Sequence, residues 1–195
     1  MRIALSGAQG SGKTTLMREL KSGPFLSHYI FYDEVVRNLV KRTGISINRE
    51  ADDYSQTAIT NEQVRLASET VFNTPDAFFD RCIVDSHAFT IFDYMSGQIS
   101  ETVYRYSREM LKTVFTYFPY DMVIYIPPKI QLVEDGVRDT DIRYRNKIDQ
   151  LMSEVLNYTS IKSSTTKIHT LAEISIQDRV DEIINIMTEN DNNEV

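Results

Sequence analysis

The stretch Gly7-Ala8-Gln9-Gly10-Ser11-Gly12-Lys13-Thr14 fits the spacing G-x-x-x-x-G-K-[ST] at every position. It lies where an apolar run, Arg2 to Ser6, gives way to a helical pattern, the context that gives this spacing meaning. Three of the chain's seven glycines, Gly7, Gly10 and Gly12, fall here, as expected of a backbone that wraps something closely. Successive N–H groups of such a loop converge on phosphate oxygens, and the helix N-terminus adds positive potential. Lys13 would then reach the β- and γ-phosphates, and the Thr14 hydroxyl would complete a Mg²⁺ shell. Gly7, Gln9, Gly10, Ser11, Gly12 and Thr15 would line the phosphate chain. The chemistry is nucleoside-triphosphate binding; a glycine-rich turn with a surface lysine is the bland alternative.

Further chemistry-bearing residues follow the other strand-like runs. Asp33 and Glu34 come just after His28 to Tyr32. A carboxylate there would orient or deprotonate a hydroxyl acceptor, or simply complement a helix dipole. Arg37, one turn on, would bind a substrate phosphate or pair with those acids. Asp85 closes Arg81-Cys82-Ile83-Val84-Asp85, read as a third strand, and would hold Mg²⁺ with Thr14 or grip the acceptor. His87 reads as a polar loop residue, and the three histidines have no metal-ligand spacing. Arg138, Arg143 and Arg145 fall in a charged segment, about 129 to 146, that reads as a lid whose arginines spread over a migrating phosphoryl group. Arg105 and Arg108 are weaker candidates for an acceptor phosphate.

The elements that position these residues alternate. Strand-like runs at 2–6, 28–32, 81–85, 121–126 and 167–171 are separated by helical patterns near 12–21, 33–42, 55–72, 88–95, 101–117, 148–156 and 176–187. Alternation of this kind predicts an α/β fold: a five-stranded parallel sheet covered by helices on both faces. Ligands of such sheets bind at the carboxyl ends of the strands. The expectation is one domain over 1–189, followed by a polar tail, 190–195, that frays.

Composition limits the class. The chain has 195 residues, a net charge of −7 and a single cysteine, Cys82, so a disulfide framework and a cysteine metal cluster are excluded. No apolar run approaches a membrane span, and the first strand-like run starts at Arg2 with no room for a leader, which points to a cytoplasmic protein. The acidic surface counts against a nucleic-acid partner. Homodimerisation stays open.

The phosphate loop, Asp33 to Arg37, Gln63, Ile83-Val84-Asp85 and Pro127-Pro128 followed by Glu134 to Arg138 together resemble the small P-loop kinases related to the nicotinamide riboside kinase domain. That group is often described as an AAA-type ATPase and includes nucleoside and nucleotide kinases of bacteria and phages. The resemblance implies a three-layer P-loop NTPase fold with strand order 2-3-1-4-5, ATP phosphates on Gly7 to Thr15, a substrate-side acid at Glu34 beside Arg37, an acid at Asp85, and lid arginines at Arg138 and Arg143. One departure stands out. Asp85-Ser86-His87 occupies the place where thymidylate-kinase-like and deoxynucleoside-kinase-like enzymes carry an acid followed by arginine. With no tryptophan, base stacking falls to Tyr54, Phe89, Phe92 or Tyr104.

The expected function is therefore an ATP- and Mg²⁺-dependent kinase of a nucleotide, with a (deoxy)nucleoside monophosphate favoured by the arginines outside the lid. A nucleoside or nicotinamide riboside kinase using Glu34 as base, a kinase of a modified base in DNA, and a partner-driven ATPase are the alternatives.

Overall fold

The computed structural model describes residues 1–73, 76–129, 141–163 and 165–192. Five parallel strands, β1 (Arg2–Ser6), β2 (Ile30–Tyr32), β3 (Ala77–Asp80), β4 (Met122–Tyr125) and β5 (Lys167–Thr170), form one sheet in the order β2-β3-β1-β4-β5. Successive side chains of a strand face opposite sides, and the central strands use both. Ala4, Phe79 and Val123 enter one core, whereas Ile3, Leu5, Phe78 and Ile124 enter the other. This two-sided burial is why these runs are apolar throughout rather than alternating.

Helices α1 (Lys13–Ser22) and α7 (Ile176–Asn192) pack against each other on one face. Helices α4 (Ile83–Met95), α5 (Glu101–Tyr117) and α6 (Ile142–Lys162) cover the other, with α3 (Asp53–Asn73) against α4 and α5. Helix α2 (Val35–Thr43) leads from β2 toward α3 and ends at Gly44, which takes the left-handed conformation that stops helices. Ser100 caps α5 by accepting from the Val103 N–H, and Ser175 accepts from the Asp178 N–H at the start of α7. Helix α7 continues to Asn192, past the expected boundary at 189; residues 193–195 lie outside the described residues.

The third strand is a correction. It is Ala77-Phe78-Phe79-Asp80, paired with β1 from Arg2↔Ala77 to Leu5↔Asp80. Cys82-Ile83-Val84 is apolar because it starts α4, whose first turns are buried all round. A short apolar run cannot be told from a buried helix segment by periodicity alone. The Asp85 carboxylate accordingly caps that helix, accepting from the Cys82 N–H at 3.1 Å.

Candidate active site

The phosphate loop leaves β1 through a tight passage: a Cβ on Gly7 would lie 2.5 Å from the Ile126 carbonyl oxygen. Gly10 and Gly12 both take positive φ, 72° and 94°, which an L side chain rarely adopts. Gly12 is the N-cap of α1 and supplies no side-chain cap, so the first N–H groups of α1 remain directed at the loop's concavity. The Lys13 ammonium folds across the loop, donating to the carbonyls of Gly7 at 2.5 Å and Ala8 at 2.9 Å and to Ser11 Oγ at 3.2 Å. Gln9 is buried beside it, and neither polar atom of its amide has a partner among the described residues.

Asp80, at the end of β3, is the acid that faces this loop. Its Oδ2 accepts from the Thr14 hydroxyl at 3.4 Å, while its buried Oδ1 has no partner among the described residues. A carboxylate oxygen buried unsatisfied beside a threonine hydroxyl fits a cation-binding pair. Asp85, predicted for this position, is displaced from it by the five residues that separate the two candidate strand ends. Its Oδ1 instead accepts from the Gly7 N–H at 3.3 Å and from Arg81 at 3.2 Å. Asp85 thus ties the start of the phosphate loop to α4. The strand end reads Asp80-Arg81, an acid followed by arginine, so the departure noted from Asp85-Ser86-His87 disappears.

Across the cleft, Glu34 ends the turn after β2 and pairs with Arg37 at 3.0 Å. Glu34 lines the cleft; Asp33 does not, and pairs instead with Lys21 at 3.1 Å. Among the described residues the non-glycine residues with positive φ are Glu34 (50°), Asn48 (59°) and Arg81 (80°). All three line this one cleft. Backbone strain of this kind persists only where the surroundings enforce it, and it gathers at functional sites.

The rest of the cleft floor comes from α3 and α4, with Gln56, Ile59, Gln63, Ser86 and Phe89 lining it. Gln56 is fixed from behind: its amide donates to the buried Asp93 carboxylate and accepts from the Thr90 hydroxyl. Burial pushes the Asp93 carboxyl up to about 6 against the opposing Gln56 hydrogen bond. Of the four proposed stacking residues only Phe89 lines the cleft, with Arg81 at 5.8 Å over its ring. Tyr54 is exposed, Phe92 packs on Tyr144 and Tyr104 stacks on Tyr94.

Several expected residues are elsewhere. Arg105 pairs with Glu101, and Arg108 with Glu109, on the outer face of α5. Arg143 is 94% exposed and 3.6 Å from Asp141 at the start of α6. Arg138 and most of the expected lid fall on 130–140, outside the described residues. Thr15 is exposed on the first turn of α1. His87 is not in a loop. It is buried on α4, hydrogen-bonded to Ser107 Oγ at 3.0 Å and stacked on Tyr104. Burial, followed by the charge of Arg108, pulls it down to about 4. Asp80, Arg81, Asn48 and Gln56 were not singled out by sequence reasoning. The Phe78-Phe79-Asp80-Arg81 run was the available signal for the first two.

A sequence model of the AAA domain family matches residues 2–173. The chain belongs to that family. No curated protein matches it. Among solved structures, the deoxyadenosine kinase from M. mycoides with dCMP and dCDP superposes with a TM-score of 0.69 at 16% identity, covering 97% of this chain and 100% of that one. NadR protein in complex with NR gives 0.71 at 16% identity over 96% of this chain and 50% of that one. Thymidylate kinase from Candida albicans gives 0.64 at 16% identity over 97% and 92%. This member of the AAA domain family therefore shares the fold of small P-loop kinases, as its motifs implied. Among its described residues no helix is long and apolar enough to cross a membrane.

Proposed function

We propose that this chain is an ATP- and Mg²⁺-dependent kinase that transfers the γ-phosphoryl group to a small nucleoside-type acceptor. The observation that carries the reading is that the phosphate loop and the strained Glu34 line one cleft. Kinase chemistry needs little beyond this: positioning of the two substrates and stabilisation of the transferring charge. The N–H groups of the loop and the Lys13 ammonium hold the triphosphate. Thr14 and Asp80 are the residues that would hold Mg²⁺, which neutralises charge on the phosphate oxygens when bound.

A hydroxyl acceptor is favoured over a monophosphate. The preference for a monophosphate rested on arginines outside the lid, and Arg105 and Arg108 are paired on the outer surface. Glu34 is then the group that takes the acceptor proton as the acceptor oxygen bonds to the γ-phosphorus and the bond to the β-phosphate oxygen breaks, leaving ADP. The monophosphate reading retains one support, the two cleft arginines Arg37 and Arg81.

The test is ATP consumption with Mg²⁺ against nucleosides, nicotinamide riboside, nucleoside monophosphates and duplex DNA, with Lys13→Ala as blank. A single nucleoside raising turnover far above the blank is expected. Glu34→Gln should then lower kcat by about 10²-fold or more, the size of general-base effects. A rise confined to KM would favour the monophosphate. Uniformly low turnover across the panel would favour the partner-driven ATPase.

A further inference from the structure

Arg179 is among the largest fully buried side chains of the protein, only 1% exposed, and it lies on the first turn of α7, far in sequence from any expected site. Its Nη1 donates to the Ser11 carbonyl of the phosphate loop at 2.8 Å, and its Nε donates to the Glu173 carbonyl in the β5–α7 connection at 3.0 Å. Both acceptors are neutral, and the Glu182 carboxylate acts on the guanidinium through its charge alone. A guanidinium spent on two carbonyls is an expensive staple, because burial of a charge is costly unless an opposite charge compensates it.

The geometry explains what the charge serves. In a trans peptide the C=O and the N–H point in opposite directions. The bond from Arg179 therefore holds the Ser11 carbonyl outward and turns the N–H of Gly12, in the same peptide plane, the other way. Ser11 and Gly12 both line the cleft. A charged donor also polarises the peptide it grips, which strengthens the opposite N–H as a donor.

We infer that Arg179 is a positioning residue for the phosphate loop: from behind, it fixes the Ser11–Gly12 peptide with its N–H toward the phosphates and supplies a buried positive charge that bound phosphate compensates. This rests on the reading of the loop as a triphosphate site. The other end of the same connection is held by Glu182, whose carboxylate accepts from the N–H groups of Ala172 and Glu173 and from His169 Nε2. Glu182 does not touch the loop, so it separates support of the β5–α7 connection from orientation of the phosphate-binding peptide.

The experiment measures MgATP affinity by calorimetry and melting temperature for the native chain, Arg179→Met, Arg179→Lys and Glu182→Gln. Arg179→Met keeps the bulk and removes charge and donors; its Kd should rise about tenfold or more, the scale of a lost hydrogen bond to a charged group. Arg179→Lys keeps the charge but replaces the planar guanidinium fork with a compact ammonium, and should recover part of that loss. Glu182→Gln should lower the melting temperature with Kd within about twofold of native, since its acceptor role is retained only in part and the loop is untouched. If Arg179→Met does not fold, Arg179→Lys carries the test through the Gly12 amide resonance, which should move on substitution. Native affinity in both Arg179 variants, or an equal loss in Glu182→Gln, would overturn the inference alone. Failure of the native chain to bind MgATP would overturn the triphosphate reading with it.

Discussion

The two sides of the cleft are built from different materials. The phosphate side is backbone: N–H groups of a glycine-turned loop, with Lys13 folded over it and Asp85 and Arg179 tying it down from opposite sides. The side proposed to hold the acceptor is built of side chains from separate elements, with Glu34 and Arg37 after β2, Gln56 and Gln63 on α3, and Arg81 and Phe89 around the start of α4. A backbone cradle binds whatever carries phosphates, because it recognises charge and geometry shared by all of them. A side-chain wall can be recut for each substrate, one residue at a time. The difference puts what every acceptor would share, grip on the phosphates, on one side, and choice of acceptor together with the proposed base Glu34 on the other.

The largest expected effect tests the phosphate side. Lys13→Ala should reduce turnover by about 10²- to 10³-fold, as when a donor to a developing charge is removed, and should do so for every acceptor tried. Loss with one acceptor only would break the division between the sides. Asp80→Asn comes next. It removes the charge proposed to hold Mg²⁺ while keeping the partner of Thr14, so turnover should fall by about 10²-fold and respond to raised Mg²⁺. Asp85→Asn sharpens the contrast, because its carboxylate caps α4 and anchors Gly7. Its principal effect should be a melting temperature lowered by about 2–4 °C, as for loss of a helix cap worth about 1 kcal/mol. A Mg²⁺-dependent defect in Asp85→Asn and none in Asp80→Asn would reverse the assignment.

Gly7→Ala should act on stability more than on turnover. The added Cβ would meet the Ile126 carbonyl at 2.5 Å, and the loop or β4 would have to shift, costing about 1–3 kcal/mol. Thermal unfolding reads the stability loss, and MgATP affinity reads whether the loop moved with it.

The same contrast decided what was legible in the sequence. A backbone cradle leaves a contiguous signature, since its glycines, lysine and threonine must be neighbours, and the motif from Gly7 to Thr14 showed it whole. Alternating strands and helices announced a parallel sheet, and resemblance supplied its order. The acceptor wall has no contiguous signature: Asn48, Gln56 and Arg81 meet only after three elements have folded. Glu34 was found because it lies two residues past a strand, although Asp33 beside it was equally eligible until the turn brought it to Lys21. The error at β3 had a physical cause as well. Cys82-Ile83-Val84 is as apolar as a strand because α4 is buried on every side at its start, and the real strand is only four residues long. Arg179 was invisible for a simpler reason. An arginine within an amphipathic helix reads as a surface residue, and nothing in the local pattern reveals that its partner is 168 residues away.

The smallest effects lie behind the acceptor wall, where Asp93 and His87 share α4 and titrate with opposite consequences. Burial raises Asp93 to about 6 in the folded chain, above its ordinary 3.8, so the native state binds this proton first and stability from this group grows as pH falls through 6. Burial and the charge of Arg108 lower His87 to about 4, below its ordinary 6.5, so the unfolded chain binds that proton first and stability is lost as pH falls from 6.5 toward 4. In the native chain the two slopes oppose each other between pH 4 and 6.5. Asp93→Asn should leave the histidine slope alone, giving a protein that gains stability near pH 7.5 relative to native and loses it more steeply in acid. His87→Gln retains a partner for Ser107 and should leave the aspartate slope, so that mild acid stabilises it. Denaturant melts of both variants from pH 4 to 8 read the two slopes directly. Because Asp93 also holds the Gln56 amide at the cleft floor, Asp93→Asn should shift the acceptor KM while leaving that for ATP unchanged. Equal shifts for both substrates would mean that the two sides of the cleft are not separately built.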